Sequence, residues 1–211
     1  MIKIGIDFSL VSPAVCIYKD NKYHFLSFFD DYGKDWRNSK SKKFHYHREL
    51  ENIIELVPYS RIIPNDGYRL EQRAKMQTAK EIAYLIVDKL KEYVGDEKHP
   101  LIALEGFSYG SISSSTLDLA MYNSFLRLKL METFGDDCLH IIAPTEGKKT
   151  LSGKGTANKE IMIQSFIENK LNDDKLIETD LWKYCSSNQL DFKNIKPIDD
   201  IVDSIAILRS M

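Results

Sequence analysis

No stretch of this 211-residue chain approaches the ~20 consecutive apolar residues that a helical membrane span requires, which predicts a soluble protein with no membrane partner. A signal-peptide pattern is missing too, because the N-terminus runs straight into an apolar, strand-like segment. The three cysteines, Cys16, Cys138 and Cys185, are odd in number, scattered and without ligand spacing. That excludes a disulfide framework and a cysteine zinc site, and makes a reducing cytoplasm the expected compartment. An excess of one charge is lacking as well: 29 Lys and Arg stand against 31 Asp and Glu, a net charge of -2. Any nucleic-acid contact must therefore come from a local basic surface. Repeats and low-complexity tracts are absent. What is present is a core, since 43% hydrophobic content over this length suffices for one domain, 1–211, carrying insertions.

Three apolar runs, 2–8, 14–19 and 23–29, are joined by short polar connections and predict an antiparallel meander. The pattern then breaks over 30–67, which reads as an insertion with a short strand or turn around 53–63. Its first half is basic, with Lys34, Arg37, Lys40, Lys42, Lys43 and Arg48 facing only Asp35 up to His47. A solvated face and a DNA contact both fit that run, and His45 and His47 are expected at the surface or facing DNA. Met76, Ala79, Ile82, Ala83, Ile86, Leu90 and Val94 recur at helical spacing, and Gly95 ends that helix. Buried strands follow at 101–105 and 139–143, and strand-helix-strand order implies parallel pairing through a right-handed crossover. Further helices are expected at 158–170 and 199–208, with a second insertion at 171–197 that packs locally. The fold class is α/β: a mixed five-stranded sheet, meander first and parallel strands after, flanked by helices.

The helix expected over 113–134 is unusual. Leu117, Met121, Phe125 and Leu128 form one stripe, and Leu119, Tyr122, Leu126 and Leu130 form another on nearly the opposite side. Such a helix is either sandwiched inside its own domain or packs on the core with one face and on a partner with the other; the dimer expectation takes the second, and which stripe does which is open.

Four acids stand at the edges of different elements. Asp7 ends the first strand and Glu105 ends the strand at 101–105, while Asp200 and Asp203 are three apart in the last helix and share a face. Asp199 offers an alternative ligand. Unpaired carboxylates are costly beside a core, so such a cluster calls for cations, and hard oxygen donors select Mg²⁺ or Mn²⁺. This makes a metal-dependent nuclease the leading reading. The segment 144–159, with Lys148, Lys149, Lys154 and Lys159 and the pair Gly153 and Gly155, is read as a loop that approaches phosphate before entering a helix. It lacks the Gly-Lys-Ser/Thr ending of a Walker loop and the third glycine of a dinucleotide fingerprint. Phe107 and Tyr109, in the turn after Glu105, are candidates for stacking on unpaired bases.

These motifs, in this order, resemble the RuvC-type Holliday-junction resolvases of the RNase H-like superfamily. Lys148, Gly153, Gly155, Ala157 and Lys159 fall on the family's lysine and Gly-x-Gly spacing; Gly-Ile-Asp7, Ala-Leu-Glu105 and Asp200-x-x-Asp203 with Ser-Ile-Ala-Ile complete it. The chain departs in Phe8-Ser9 and in its longer insertions, which suggests a viral or divergent relative, in a host cytoplasm if viral.

The resemblance implies an RNase H-like fold and an endonuclease that resolves four-way junctions. It implies two Mg²⁺ ions, with Mn²⁺ as a substitute, held by Asp7, Glu105, Asp200 and Asp203. Asp200 is preferred over Asp199 on the resemblance alone. Lys159 is then expected to neutralise charge on the reacting phosphate, and Lys148, Lys149 and Lys154 to position DNA, with Phe107 and Tyr109 beside them. A homodimer is expected, because a junction needs two symmetric cuts. A related nuclease for other branched DNA or RNA–DNA hybrids, or a non-catalytic DNA-binding relative, remains the alternative.

Overall fold

The computed structural model describes residues 1–33, 35–63, 67–107 and 114–211. Strands β1 (Lys3–Asp7), β2 (Ala14–Lys19) and β3 (Lys22–Asp30) form the expected antiparallel meander. On its far side, β5 (Leu101–Glu105) and β6 (Leu139–Ile142) pair in parallel with β1 and with each other. The sheet has six strands rather than five, in the order β4-β3-β2-β1-β5-β6. The sixth, β4 (Glu55–Tyr59), comes from the first insertion and pairs in parallel with β3. It contains Pro58, which argues against an interior strand; β4 is an edge, where a missing N–H costs no ladder bond.

Strand alternation sorts the side chains onto two faces. Ile4, Ile6, Val15, Ile17, Ile102 and Leu104 point into one core layer, against α2 (Tyr68–Val94) and α3 (Ser114–Phe134). Ala14 and Cys16 point the other way, into a core built on α5 (Lys159–Ile167), α7 (Asp180–Ser187) and α8 (Ile198–Leu208). The short helices α1 (His45–Glu49) and α6 (Asp174–Ile177) add Tyr46 and Leu176 to that second layer. The 171–197 insertion thus contributes two short helices to a core.

The two stripes of α3 separate only in part, because Met121 and Phe125 of the first also pack against the core. Tyr122, Leu126 and Leu130 are buried with Leu119 packed beside them, whereas Leu117 and Leu128 are 63% and 57% exposed. On α2, Met76 is half exposed although its spacing put it with the buried set. His47 departs from expectation too. It is buried among Phe29, Trp36 and Phe44, and burial, with the Lys43 and Lys196 charges next, pushes its pKa down to about 4. His45 is exposed.

The 144–159 segment is not the open loop expected. Residues Pro144–Ser152 form α4, with proline in the first turn and Gly153 at φ +75° closing it. Lys148 and Lys149 therefore ride on a helix, and only 153–158 form the turn into α5, where the Asn158 side chain caps by accepting from the Ile161 N–H.

Candidate active site

Asp7 and Glu105 are neighbours because their strands are. β1 and β5 run parallel with Ile6 opposite Leu104, so the last residue of each lies level with the other at one sheet edge. Asp7 shares the face of Gly5, and Glu105 that of Ala103, which packs against Ile207 of α8. Both acids thus sit on the α8 side. The helix comes down onto β1 at Gly5, where a Cβ would meet the Leu208 N at 2.5 Å and the Leu208 Cβ at 2.7 Å. Glycine there lets α8 settle low enough to bring Asp200 and Asp203 to the same edge.

The electrostatics shows that the four acids face one another. Burial raises Asp7 well above the usual carboxylate range, and the charges of Asp200, Asp203 and Glu105 raise it further, against a lowering by Lys196. Burial also raises Glu105, offset in part by Lys148. Asp203 is pushed up to about 7 by burial and then by Glu105, Asp200 and Asp199, with Lys148 opposing. Asp200 is pushed to about 6 by burial and Asp199, while Lys196 and Ser12 hold it down.

Two of the chain's own ammonium groups, from exposed Lys159 and half-buried Lys196, reach into this cluster. The Lys196 Nζ donates to both Asp200 oxygens at 2.6 Å and to the Ser12 Oγ at 2.7 Å. The Lys159 Nζ pairs with buried Asp199, whose other oxygen has no hydrogen-bond partner. Burial lowers the Lys159 pKa, but the Asp199 bond and charge, with Asp200 and Asp203, raise it above the ordinary lysine value. Among the described residues, no three His, Cys, Asp or Glu groups stand close enough to hold a metal ion as placed. The reason is visible in these contacts, because Asp199 and Asp200 are turned onto lysines.

The donor set nevertheless fits a hard divalent cation. Five carboxylates, Asp7, Glu105, Asp199, Asp200 and Asp203, face three ammonium groups, Lys148, Lys159 and Lys196, so acids outnumber cations by two, and burial with mutual repulsion raises the pKa of four of the five. Asp7, Glu105, Asp203 and, released from Lys196, Asp200 are the residues that could hold such an ion.

Lys196 and Ser12 were missed by sequence reasoning. Lys148 is half-buried and close enough to Glu105 and Asp203 to lower both, so it stands nearer the acids than a remote positioning lysine would. Lys149 and Lys154 are exposed. Phe107 is half-buried, with the Arg127 guanidinium 4.8 Å from its ring centroid. Tyr109 lies outside the described residues.

No protein-family model matches the sequence, and no curated protein does. Among solved structures, the chain matches Thermus thermophilus RuvC with a TM-score of 0.50 at 11% identity, covering 100% of this chain and 92% of that one. The fold is that of RuvC. T. thermophilus RuvC in complex with Holliday junction substrate matches at TM-score 0.49 and 13% identity, over 100% and 92% of the two chains. The yeast mitochondrial Holliday junction resolvase Ydc2 matches at TM-score 0.48 and 16% identity, over 98% and 75%. At such identities the likeness is one of fold alone, and the chemistry must be argued from the side chains at its sheet edge.

Proposed function

We propose that this chain is a metal-dependent, structure-specific endonuclease that resolves four-way DNA junctions, built as one nuclease domain with two insertions. The observation that carries the reading is the cluster of mutually repelling carboxylates from β1, β5 and α8, with more acids than ammonium groups, at one edge of a RuvC fold. Asp7, Glu105, Asp200 and Asp203 hold Mg²⁺, with Mn²⁺ as a substitute. When bound there, two such ions supply an activated water and stabilise the leaving oxygen of a phosphodiester. Lys159, at the first turn of α5, and Lys148 beside Glu105 present ammonium charge to the phosphate, and Lys149 and Lys154 extend that charge along α4 and the turn after it. Phe107 completes the DNA-facing set, and Tyr109, outside the described residues, is kept as a second stacking candidate. The solved RuvC complex, by its description, holds a Holliday junction, which supports branched DNA as the substrate class.

The test is a labelled four-way junction beside a matched linear duplex, each incubated with Mg²⁺ and with EDTA. Paired nicks in the junction alone, dependent on Mg²⁺, are expected; an uncut junction, or a duplex cut equally well, overturns the reading.

The functional unit is a homodimer joined through α3. Leu117 and Leu128 are exposed on α3, while Met121 and Phe125 of the same stripe are half-buried against the core. A two-fold pair of such faces would present two identical sites to opposed strands. Leu117→Glu with Leu128→Glu is expected to give a folded monomer that has lost paired cutting. Leu126→Glu, which buries a charge in the core, is expected to unfold the domain. Sedimentation and circular dichroism separate the two outcomes, and a wild-type monomer at micromolar concentration that still makes paired cuts overturns the dimer.

A further inference from the structure

The two insertions meet beside the acid cluster. Tyr46 of α1, in the first, accepts a hydrogen bond at 2.5 Å from the backbone N–H of Asp191, in the second. Next to this junction lies a recess of about 180 Å³ lined by Lys43, Lys159, Lys193, Lys196, Asn194 and Phe192, together with Ile195. Four lysines and no acid line it. Its inner lysines, Lys159 and Lys196, are those that reach Asp199 and Asp200, so the recess opens directly off the candidate active site.

The outer two lysines are differently placed. The Lys43 Nζ lies 3.8 Å from the centroid of the Tyr32 ring and donates to the Asp30 carbonyl at 3.4 Å, so it is held in position rather than left to sweep solvent. Lys193 is exposed, and the nearby Asp191 carboxylate accepts from the Asn194 side chain and from the Lys193 backbone N–H. The N-terminus of α5, which starts at Lys159, adds positive potential from its free N–H groups. Lys159 and Lys196 are already answered by Asp199 and Asp200, so the charge left to meet an incoming anion is that of Lys43 and Lys193. Phe192, 39% exposed, offers a ring at the recess.

We propose that this recess is a binding subsite for a DNA backbone phosphate next to the scissile one, assembled by the two insertions, with Phe192 placed to stack on the adjoining base. The inference rests on the nuclease reading above and names the part of the chain that grips the strand as it leaves the acids. Lys43 and Lys193 each neutralise phosphate charge, so each contributes about one unit to the salt dependence of binding. Phe192 contributes affinity with no ionic signature.

Fluorescence anisotropy of a labelled four-way junction in EDTA, from about 50 to about 200 mM salt, tests this without cleavage. Lys43→Ala with Lys193→Ala is expected to weaken binding about tenfold and to flatten the slope of log affinity against log salt by about two. The double Lys→Arg variant should restore both, and Phe192→Ala should weaken binding with the slope unchanged. Thermal melts of each variant check that the fold is kept. A wild-type slope in the double alanine variant, with wild-type protein binding well, overturns the subsite alone. Wild-type protein that binds neither junction nor duplex overturns the subsite and the nuclease reading together.

Discussion

Asp7→Asn is expected to lower the rate of junction cleavage by about a thousandfold or more, and at the same time to make the metal-free protein more stable. The first effect follows from removing the charge of a ligand that lies between Glu105 and α8, where metal-assisted hydrolysis draws most of its rate from positioned charge. The second follows from the cluster itself. Asp7 and Asp203 titrate above their ordinary values in the fold, because burial and neighbouring carboxylates oppose ionisation. A carboxyl with a raised folded pKa keeps its proton in the native state while the unfolded chain releases it. Its contribution to stability is therefore lost as pH rises, for Asp203 through the window from about 4 to about 7. Without metal, the wild-type protein should melt lower at pH 8 than at pH 5 by an amount that Asp7→Asn or Asp203→Asn reduces. Removing one of these repelling charges should recover about 2 kcal/mol at pH 8, or about 5 °C in melting temperature. Calorimetry in EDTA at the two pH values, with single-turnover cleavage in Mg²⁺, checks both halves. Wild-type cleavage by Asp7→Asn would remove the residue from the site, and an unchanged pH dependence would remove the repulsion.

The strand-end acids were legible because strand geometry is. A buried apolar run that ends in an acid places that acid at the end of its strand, and parallel pairing then sets Asp7 level with Glu105 without further information. The three-residue spacing of Asp200 and Asp203 was legible for the same kind of reason, since α8 is a regular helix. What the sequence hid came from residues whose meaning depends on tertiary contact. Lys196 stands four residues before Asp200, a spacing that brings side chains together, but Pro197 intervenes and the lysine reads as the end of a polar insertion. Ser12, 184 residues from Lys196 in the chain, meets it only through the fold.

Other differences have equally local causes. His45 and His47 were both expected at the surface or facing DNA, but α1 is helical, and a two-residue step there turns about 200°. One histidine consequently faces solvent and the other an aromatic cluster. The 144–159 segment carried two signals at once. Proline at its start and Gly153 after nine residues mark a helix, while Gly153 and Gly155 together suggest a phosphate loop. The helix formed, and the lysines gained fixed directions from it. A cavity of about 640 Å³ lined by Leu10, Arg61, Lys75 and Tyr122 illustrates the limit of shape alone. Its charged groups pair among themselves, Arg61 with Asp30 and Lys75 with Glu71 and Asp118, and it leaves out all four candidate acids.

Gly5→Ala is expected to be among the most damaging single-methyl changes the chain can suffer. The added Cβ would run into the Ser204 carbonyl oxygen and lie 2.5 Å from the Leu208 N. Both are backbone atoms of α8, so no rotamer change relieves the clash and the helix itself must lift from β1. Overpacking of this kind costs about 3 kcal/mol, which in a chain of this size lowers the melting temperature by roughly 10 °C. Lifting α8 also separates Asp200 and Asp203 from Asp7 and Glu105, so cleavage should fall well below wild type even at temperatures where the variant is folded. Gly147→Ala is the matched control. Its Cβ would meet Ile207 at 3.6 Å, an ordinary contact, and alanine favours the helix in which Gly147 sits by about 0.5–1 kcal/mol. The two glycines pack against the same helix, so thermal melts and single-turnover rates of the pair isolate the approach at β1. A Gly5→Ala protein that melts and cleaves like Gly147→Ala would mean that α8 does not rest on β1 as closely as this geometry requires.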